Sequence, residues 1–174
     1  MNKNQPFLVD ILIPLFYKIS REVLKNQGGD KVSKKYDFVD MTKEGLRRVR
    51  QQGREFHIDS QGNPTYDERY DEVSPFWNGF ARVKKDGKYF HIHPNGTPAY
   101  EERYEDVGLF IAERAWVHNG KEWFHIRPDG KPAYKKRYDW AGSFIGKLAA
   151  VKKGKELFSI DPDGQIVNLD KRPL

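Results

Sequence analysis

Residues 70–103 read YDEVSPFWNGFARVKKDGKYFHIHPNGTPAYEER, and residues 104–137 read YEDVGLFIAERAWVHNGKEWFHIRPDGKPAYKKR. The two stretches agree at 14 of 34 positions without a gap. Working outward, Phe90-His91-Ile92 and Phe124-His125-Ile126 recur upstream as Phe56-His57-Ile58 and downstream as Phe158-Ser159-Ile160, each time at an interval of 34. Val49, Val83, Val117 and Val151 keep that interval, as do Gly62, Gly96, Gly130 and Gly164, and Tyr36, Tyr70, Tyr104 and Tyr138 open the units. Such a register marks internal duplication. The expected division is residues 1–35 as a helix and linker, units at 36–69, 70–103, 104–137 and 138–171, and a tail at 172–174.

A period of 34 also suits helical tetratricopeptide repeats, but Pro94, Gly96 and Pro98 crowd into five residues, which no helix interior tolerates. The unit reads as short strands and turns. Ala81-x-Val83 alternates as a half-buried strand does. Asp86-Gly87, or Asn119-Gly120, supplies a hairpin turn. Tyr89-Phe-His-Ile92 follows as a second strand, with Phe90 and Ile92 on one face and His91 on the other. His93-Pro-Asn-Gly96 is a turn, and Thr97-Pro-Ala-Tyr100, with its proline, predicts a third strand at an edge or an extended loop. The hairpin glycine sits one position earlier in units three and four (Gly120, Gly154) than in units one and two (Gly53, Gly87). Equal two-residue turns would then change which residues face each other, so a longer loop or a bulge is expected.

The chain carries 31 Lys+Arg against 25 Asp+Glu, a net charge of +6, with 32% charged and 14% aromatic residues. That is the composition of a folded chain, not a disordered one. Residues 1–35 hold +4 of the surplus, and elsewhere cations alternate with acids, as in Tyr100-Glu-Glu-Arg-Tyr104. This is no footprint for nucleic acid. From Phe7 to Leu24, Leu8, Ile11, Leu12, Leu15, Phe16, Ile19 and Val23 mark one face of a helix, ended by Gly28-Gly29. Its longest uncharged run, Ile11–Tyr17, is too short for a membrane span, so no transmembrane segment is expected. The segment reads as a helix docked on the repeats or on a partner. There are no cysteines, hence no disulfide and no thiolate chemistry. This is consistent with a cytoplasmic array held by stacking alone.

These residues resemble the WG (KWG) repeat of bacterial proteins. Tyr70-Asp71, Phe76, Gly79-Phe-Ala81-Arg-Val83, Gly87-Lys88, Ile92 and Gly96 match its pattern, as do Tyr138-Asp139, Phe144, Gly146, Ala149, Val151, Gly154-Lys155 and Ile160-Asp161. The resemblance covers about residues 36–171. The Trp-Gly pair of the pattern is replaced by Tyr89-Phe90, Trp123-Phe124 and Leu157-Phe158, so the chain resembles a divergent subtype. The resemblance implies a β-rich repeat module associated with binding or scaffolding, and it implies no catalytic residues.

The expected fold is mainly β: four repeats of about three short strands stacked as an open array, with a small closed propeller-like ring as the alternative. Neither a nucleophile elbow, a phosphate-binding lysine loop nor a His-Glu-x-x-His motif is present. The acid pair Glu101-Glu102 recurs as Asp67-Glu68 but becomes Lys135-Lys136, a varying surface position. A non-enzymatic protein-interaction scaffold without a cofactor is therefore the leading reading. Arg69, Arg103 and Arg137, each beside a tyrosine and an acid, are expected either to pair ions between units or to recognise an acidic peptide or nucleic acid. Trp77 and Trp116 share no column, so one or both are candidates for exposed aromatic anchors. They also support an alternative reading as a carbohydrate- or small-ligand-binding module. His57, His91 and His125 form a column that either hydrogen-bonds neighbouring units or, in a closed ring, converges on a metal and supports a metal-dependent activity, the weaker alternative.

Overall fold

A computed structural model describes residue 32 and residues 34–167; the predicted helix over residues 7–24 and the tail lie outside the described residues. Twelve strands form four three-stranded antiparallel sheets, none of them closed. The first sheet is β1 (Phe38–Val39), β2 (Arg47–Gln51) and β3 (Arg54–Ile58). The second is β4 (Glu72–Val73), β5 (Ala81–Lys85) and β6 (Lys88–Ile92), and the third is β7 (Asp106–Val107), β8 (Ala115–His118) and β9 (Trp123–Ile126). The fourth is β10 (Trp140–Ile145), β11 (Leu148–Lys153) and β12 (Glu156–Ile160). Strand order follows chain order in every sheet. Contacts between sheets run in sequence order, β3 to β4, β6 to β7, and β9 and β8 to β10.

The register repeats as well. Val49 faces Phe56, Val83 faces Phe90, Val117 faces Phe124 and Val151 faces Phe158. The shifted glycine is accommodated in two ways. The third sheet has the longer loop, residues 119–122, between the paired His118 and Trp123, and the Asn119 side chain accepts from the amides of Lys121 and Glu122. The fourth sheet departs from expectation, because it keeps a two-residue turn with Lys153 opposite Glu156. Gln52-Gly53 and Asp86-Gly87 have positive φ at both turn residues, whereas at Gly154-Lys155 only the glycine does, at +61°. These are the signatures of type I′ and type II′ turns, whose glycines occupy different positions of the same loop. The turn type changes and the register does not. A bulge does occur in the fourth sheet, between Ala141 and Phe144, on the other hairpin.

The third strand of each sheet is also not where the sequence placed it. Segment 97–100 makes one isolated bridge, Pro98 to Ile92, since proline has no N–H to extend a ladder. The true third strand opens the unit as Glu72–Val73, with Val73 against Val83. In the first three sheets this strand has only two residues, too few to show alternation, which is why the pattern did not reveal it.

Phe, His and Ile of β3, β6 and β9 are all buried, so both faces of these strands are covered. One apolar cluster runs from Tyr36 to Ile126 through the first three sheets. A second, around Tyr138, Phe144, Val151 and Ile160, belongs to the fourth. Joints between sheets use backbone as well as side chains: Glu55 and Tyr70 exchange both amide bonds, as do Tyr89 with Tyr104 and Trp123 with Tyr138.

Candidate binding surface

The histidine column lies inside the joints. His57, His91 and His125 are fully buried, packed 4.4, 4.5 and 4.8 Å from the rings of Phe76, Phe110 and Phe144 of the following sheet. Each Nε2 meets a backbone carbonyl of that sheet: Ser74 at 2.9 Å, Gly108 at 2.8 Å and Gly142 at 2.8 Å. A carbonyl only accepts, so Nε2 carries the proton, and Nδ1 accepts from the hydroxyl of Tyr66, Tyr100 or Tyr134. Burial lowers each histidine to about 4, holding it neutral, and pushes the three tyrosines up. Both ring nitrogens are thus used within the protein. Among the described residues no three His, Asp or Glu side chains are placed to hold a metal.

Arg69, Arg103 and Arg137 also turn inward. Each guanidinium lies over a phenylalanine ring, Phe56 at 3.7 Å, Phe90 at 3.7 Å and Phe124 at 4.1 Å. Nη1 of Arg69 donates to the carbonyls of Tyr66, Asp67 and Glu68, and the other two arginines repeat this clamp. The expected pairing with acids of other units gives way to carbonyls of the arginine's own loop, because the chain bends so that three oxygens converge there. Arg137 additionally meets Glu122 at 3.4 Å. Trp116 is half-buried, 5.0 Å from Trp123 and pressed against Gly108. Trp77 presents 41% of its area to solvent, with the Lys43 ammonium 4.2 Å over its ring, and Arg103 is exposed as well.

Trp77 has neighbours in the repeat frame that sequence reasoning missed. Phe38, Met41, Leu109, Trp140 and Ile145 are also exposed. All of them, with Trp77, fall in the first strand of a sheet or the turn that follows it, so they share the side carrying the free edge strands β1, β4, β7 and β10. The turns are fixed to one another. The Glu44 carboxylate accepts from the amides of Asn78 and Gly79 at 2.7 and 3.0 Å, and the Asn78 side chain donates to the Phe110 carbonyl at 2.9 Å. Glu55 Oε2 accepts from the edge amide of Val73 at 2.9 Å, while Oε1 pairs with Arg50. The signal in the sequence was faint because these columns mix residue types: Phe38 and Trp140 share theirs with Glu72 and Asp106, and Trp77 and Ile145 share theirs with Lys43.

A cleft of about 310 Å³ lies on another part of the surface, between Tyr70, Phe90, Pro98 and Arg103. Its cations are already matched: Lys85 pairs with Glu68 at 2.7 Å and Lys88 with Glu105. No helix among the described residues is long and apolar enough to cross a membrane.

The model of the WG containing repeat matches residues 58–89 and 126–156. No curated protein matches the chain. Among solved structures, KlHsv2 with loop 6CD replaced by a Gly-Ser linker is 11% identical, with a TM-score of 0.52 over 77% of this chain and 52% of that one. A protein of unknown function from Bacteroides caccae is 13% identical, with a TM-score of 0.39 over 75% of this chain and 58% of that one. The chain spans about half the length of the first structure, and that likeness concerns the fold alone. The two family matches fall in one 34-residue register that runs through four sheets of one design, consistent with a WG-repeat protein.

Proposed function

We propose that the chain is a non-enzymatic scaffold that binds another protein through the side of the array bearing Met41, Trp77, Leu109 and Ile145. The supporting observation is a set of exposed apolar side chains in four sheets, with the turns of the first three tied together by Glu44 and Asn78. Anchors held before binding lose little conformational entropy on association, and large apolar or aromatic anchors dominate interface energetics. The chain's most chemically versatile side chains, by contrast, serve the joints: the histidines are neutral and buried, and the arginines clamp carbonyls.

The test is capture from the native host's extract with tagged full-length protein and the double variant Trp77→Ser/Leu109→Ser. Neither side chain belongs to the buried core, so the urea midpoint should change little. Loss of two anchors is expected to weaken a specific partner about 30-fold or more, at roughly 1 kcal/mol or more each. The same proteins recovered in the same amounts with both forms would overturn the reading.

A further inference from the structure

We infer that the cleft of about 310 Å³ beside Tyr70 and Arg103 seats the carboxylate of a small monocarboxylic acid, held between the free edge of the Arg103 guanidinium and the Tyr70 hydroxyl. None of its lining residues belongs to the row of exposed apolar anchors, so its occupancy and the scaffold reading stand or fall separately.

The first observation is a difference between units. In the third unit the Glu122 carboxylate lies 3.4 Å from Nε of Arg137. At the corresponding positions of the second unit stand Lys88 and Arg103. Lys88 lines the cleft and turns to Glu105 instead. Nη1 of Arg103 donates to the carbonyls of Tyr100, Glu101 and Glu102, while Nε and Nη2 meet no acceptor among the described residues. The second unit thus keeps the fork and lacks the carboxylate that fills it in the third. Nε and Nη2 offer the two parallel N–H groups that a carboxylate accepts as a pair.

The second observation is an idle hydroxyl. Tyr70 is 2% exposed and lines the cleft, and its Oη makes no hydrogen bond with a described residue. Burial pushes it up to about 12, with Glu68 adding to the rise and Arg103 opposing it, so at neutral pH it is a donor. In the first unit the corresponding Tyr36 already donates to the Gly62 carbonyl at 2.9 Å. Of the first three units, only the second joins an unengaged hydroxyl to an arginine that no described acid meets.

Charge and size set the class of ligand. Lys85 is paired with Glu68 and Lys88 with Glu105, which leaves Arg103 as the cation to be balanced. The exposed Asp86 also lines the cleft and repels a second negative charge, so a monoanion fits better than a dianion. The volume is at the small end for ligand pockets. The guanidinium is fixed beforehand by the Phe90 ring at 3.7 Å and by its three carbonyls, so little order is lost on binding.

The experiment is a titration of full-length protein followed by amide NMR, using acetate, hexanoate, benzoate and phenylacetate, with benzamide and inorganic phosphate as controls. At least one acid should shift the amides of Lys88, Gly96 and Arg103, with a Kd of about 1 mM. Lys88→Gln adds no carboxylate and should leave that Kd within about twofold, whereas Lys88→Glu restores the third unit's arrangement and should raise it ~10-fold or more. Tyr70→Phe deletes only the idle hydroxyl and should raise it ~3–10-fold with an unchanged urea midpoint, so it decides the matter even if Lys88→Glu fails to fold. The inference is overturned if no acid shifts these amides at ~10 mM, or if benzamide or phosphate binds as tightly as the best acid. It is overturned equally if folded Lys88→Glu binds as well as Lys88→Gln, or if Tyr70→Phe binds as well as the parent.

Discussion

A neutral imidazole does in each joint what a charged one could not: it gives one proton to a carbonyl and takes one from a tyrosine. The energetic consequence follows from burial. His57, His91 and His125 titrate near 4 in the folded chain against an ordinary value of 6.5. Burial is the largest cause, opposed by the carbonyl bond, and Arg48, Arg82 and Arg114 lower the respective histidines further. Because the folded value is depressed, protonation favours the unfolded chain. The contribution is complete above pH 6.5 and is lost as pH falls toward 4, on the order of 3 kcal/mol for each histidine. The exposed carboxylates Asp59, Glu105 and Asp139, held below their usual range by hydrogen bonds, respond at lower pH than this. Urea midpoints should therefore drop steeply between pH 6.5 and 4.5. His91→Gln should be less stable at pH 7, having lost one well-made joint, yet show a slope shallower by about a third. An unchanged slope would remove the histidines as its source. The column itself was visible in the sequence, and so was its hydrogen-bonding reading. What periodicity could not reveal was that the histidine's face is buried too, because Phe76 belongs to the next sheet.

At the scale of elements, glycines with similar backbone angles do different work. Gly87 and Gly96 have φ of +78° and +83°. A Cβ on Gly87 would meet nothing within 4 Å, but one on Gly96 would lie 2.4 Å from Cβ of Tyr66, which packs across from the preceding repeat. Gly130 and Gly164 meet Tyr100 and Tyr134 in the same way. Gly87→Ala should cost ~1–2 kcal/mol, the penalty for an L-residue in that conformation. Gly96→Ala adds a clash with the Tyr66 ring, which its hydroxyl bond to His57 holds in place, and should cost at least ~2 kcal/mol more. Equal losses in urea melts would mean that the tyrosine moves aside freely. The glycine and tyrosine columns were each legible, but their meeting was not, because it joins different positions of successive repeats. The same limit explains the turns. Residues 112–113, Ala and Glu, adopt φ of +51° and +56° where the equivalent turns use Glu44-Gly45 and Asn78-Gly79. No glycine marked this hairpin in the sequence.

Across the whole molecule, stability is distributed unevenly. The first three sheets share one apolar cluster, and each of them is joined to its successor through a histidine. The fourth sheet has its own cluster and carries Ser159 at the histidine's position, with Leu157 70% exposed beside it. In arrays whose members lean on their neighbours, a strand that carries no joint opens before strands that do. Amide exchange should accordingly be faster in β12 than in β3, β6 and β9, by about tenfold or more. Equal protection along the chain would mean that the array opens only as one body. The array's open form was within reach of the sequence, since four units in one unbroken frame needed only stacking. The fixed row of exposed anchors was not, because it depends on Glu44 reaching the turn of the next sheet.

The oxygen that each histidine meets belongs to the peptide backbone, and every amino acid has one. Ser74, Gly108 and Gly142 serve alike although their side chains differ. One half of every connection is thus immune to substitution, and the other half travels within the block that is copied. A gene for such a chain is free to gain or lose blocks of 34 codons while each junction remains complementary, whereas an insertion of another length would aim the imidazole at the wrong atom. Copy number becomes a heritable ruler, and the extent of the surface on offer grows in whole steps.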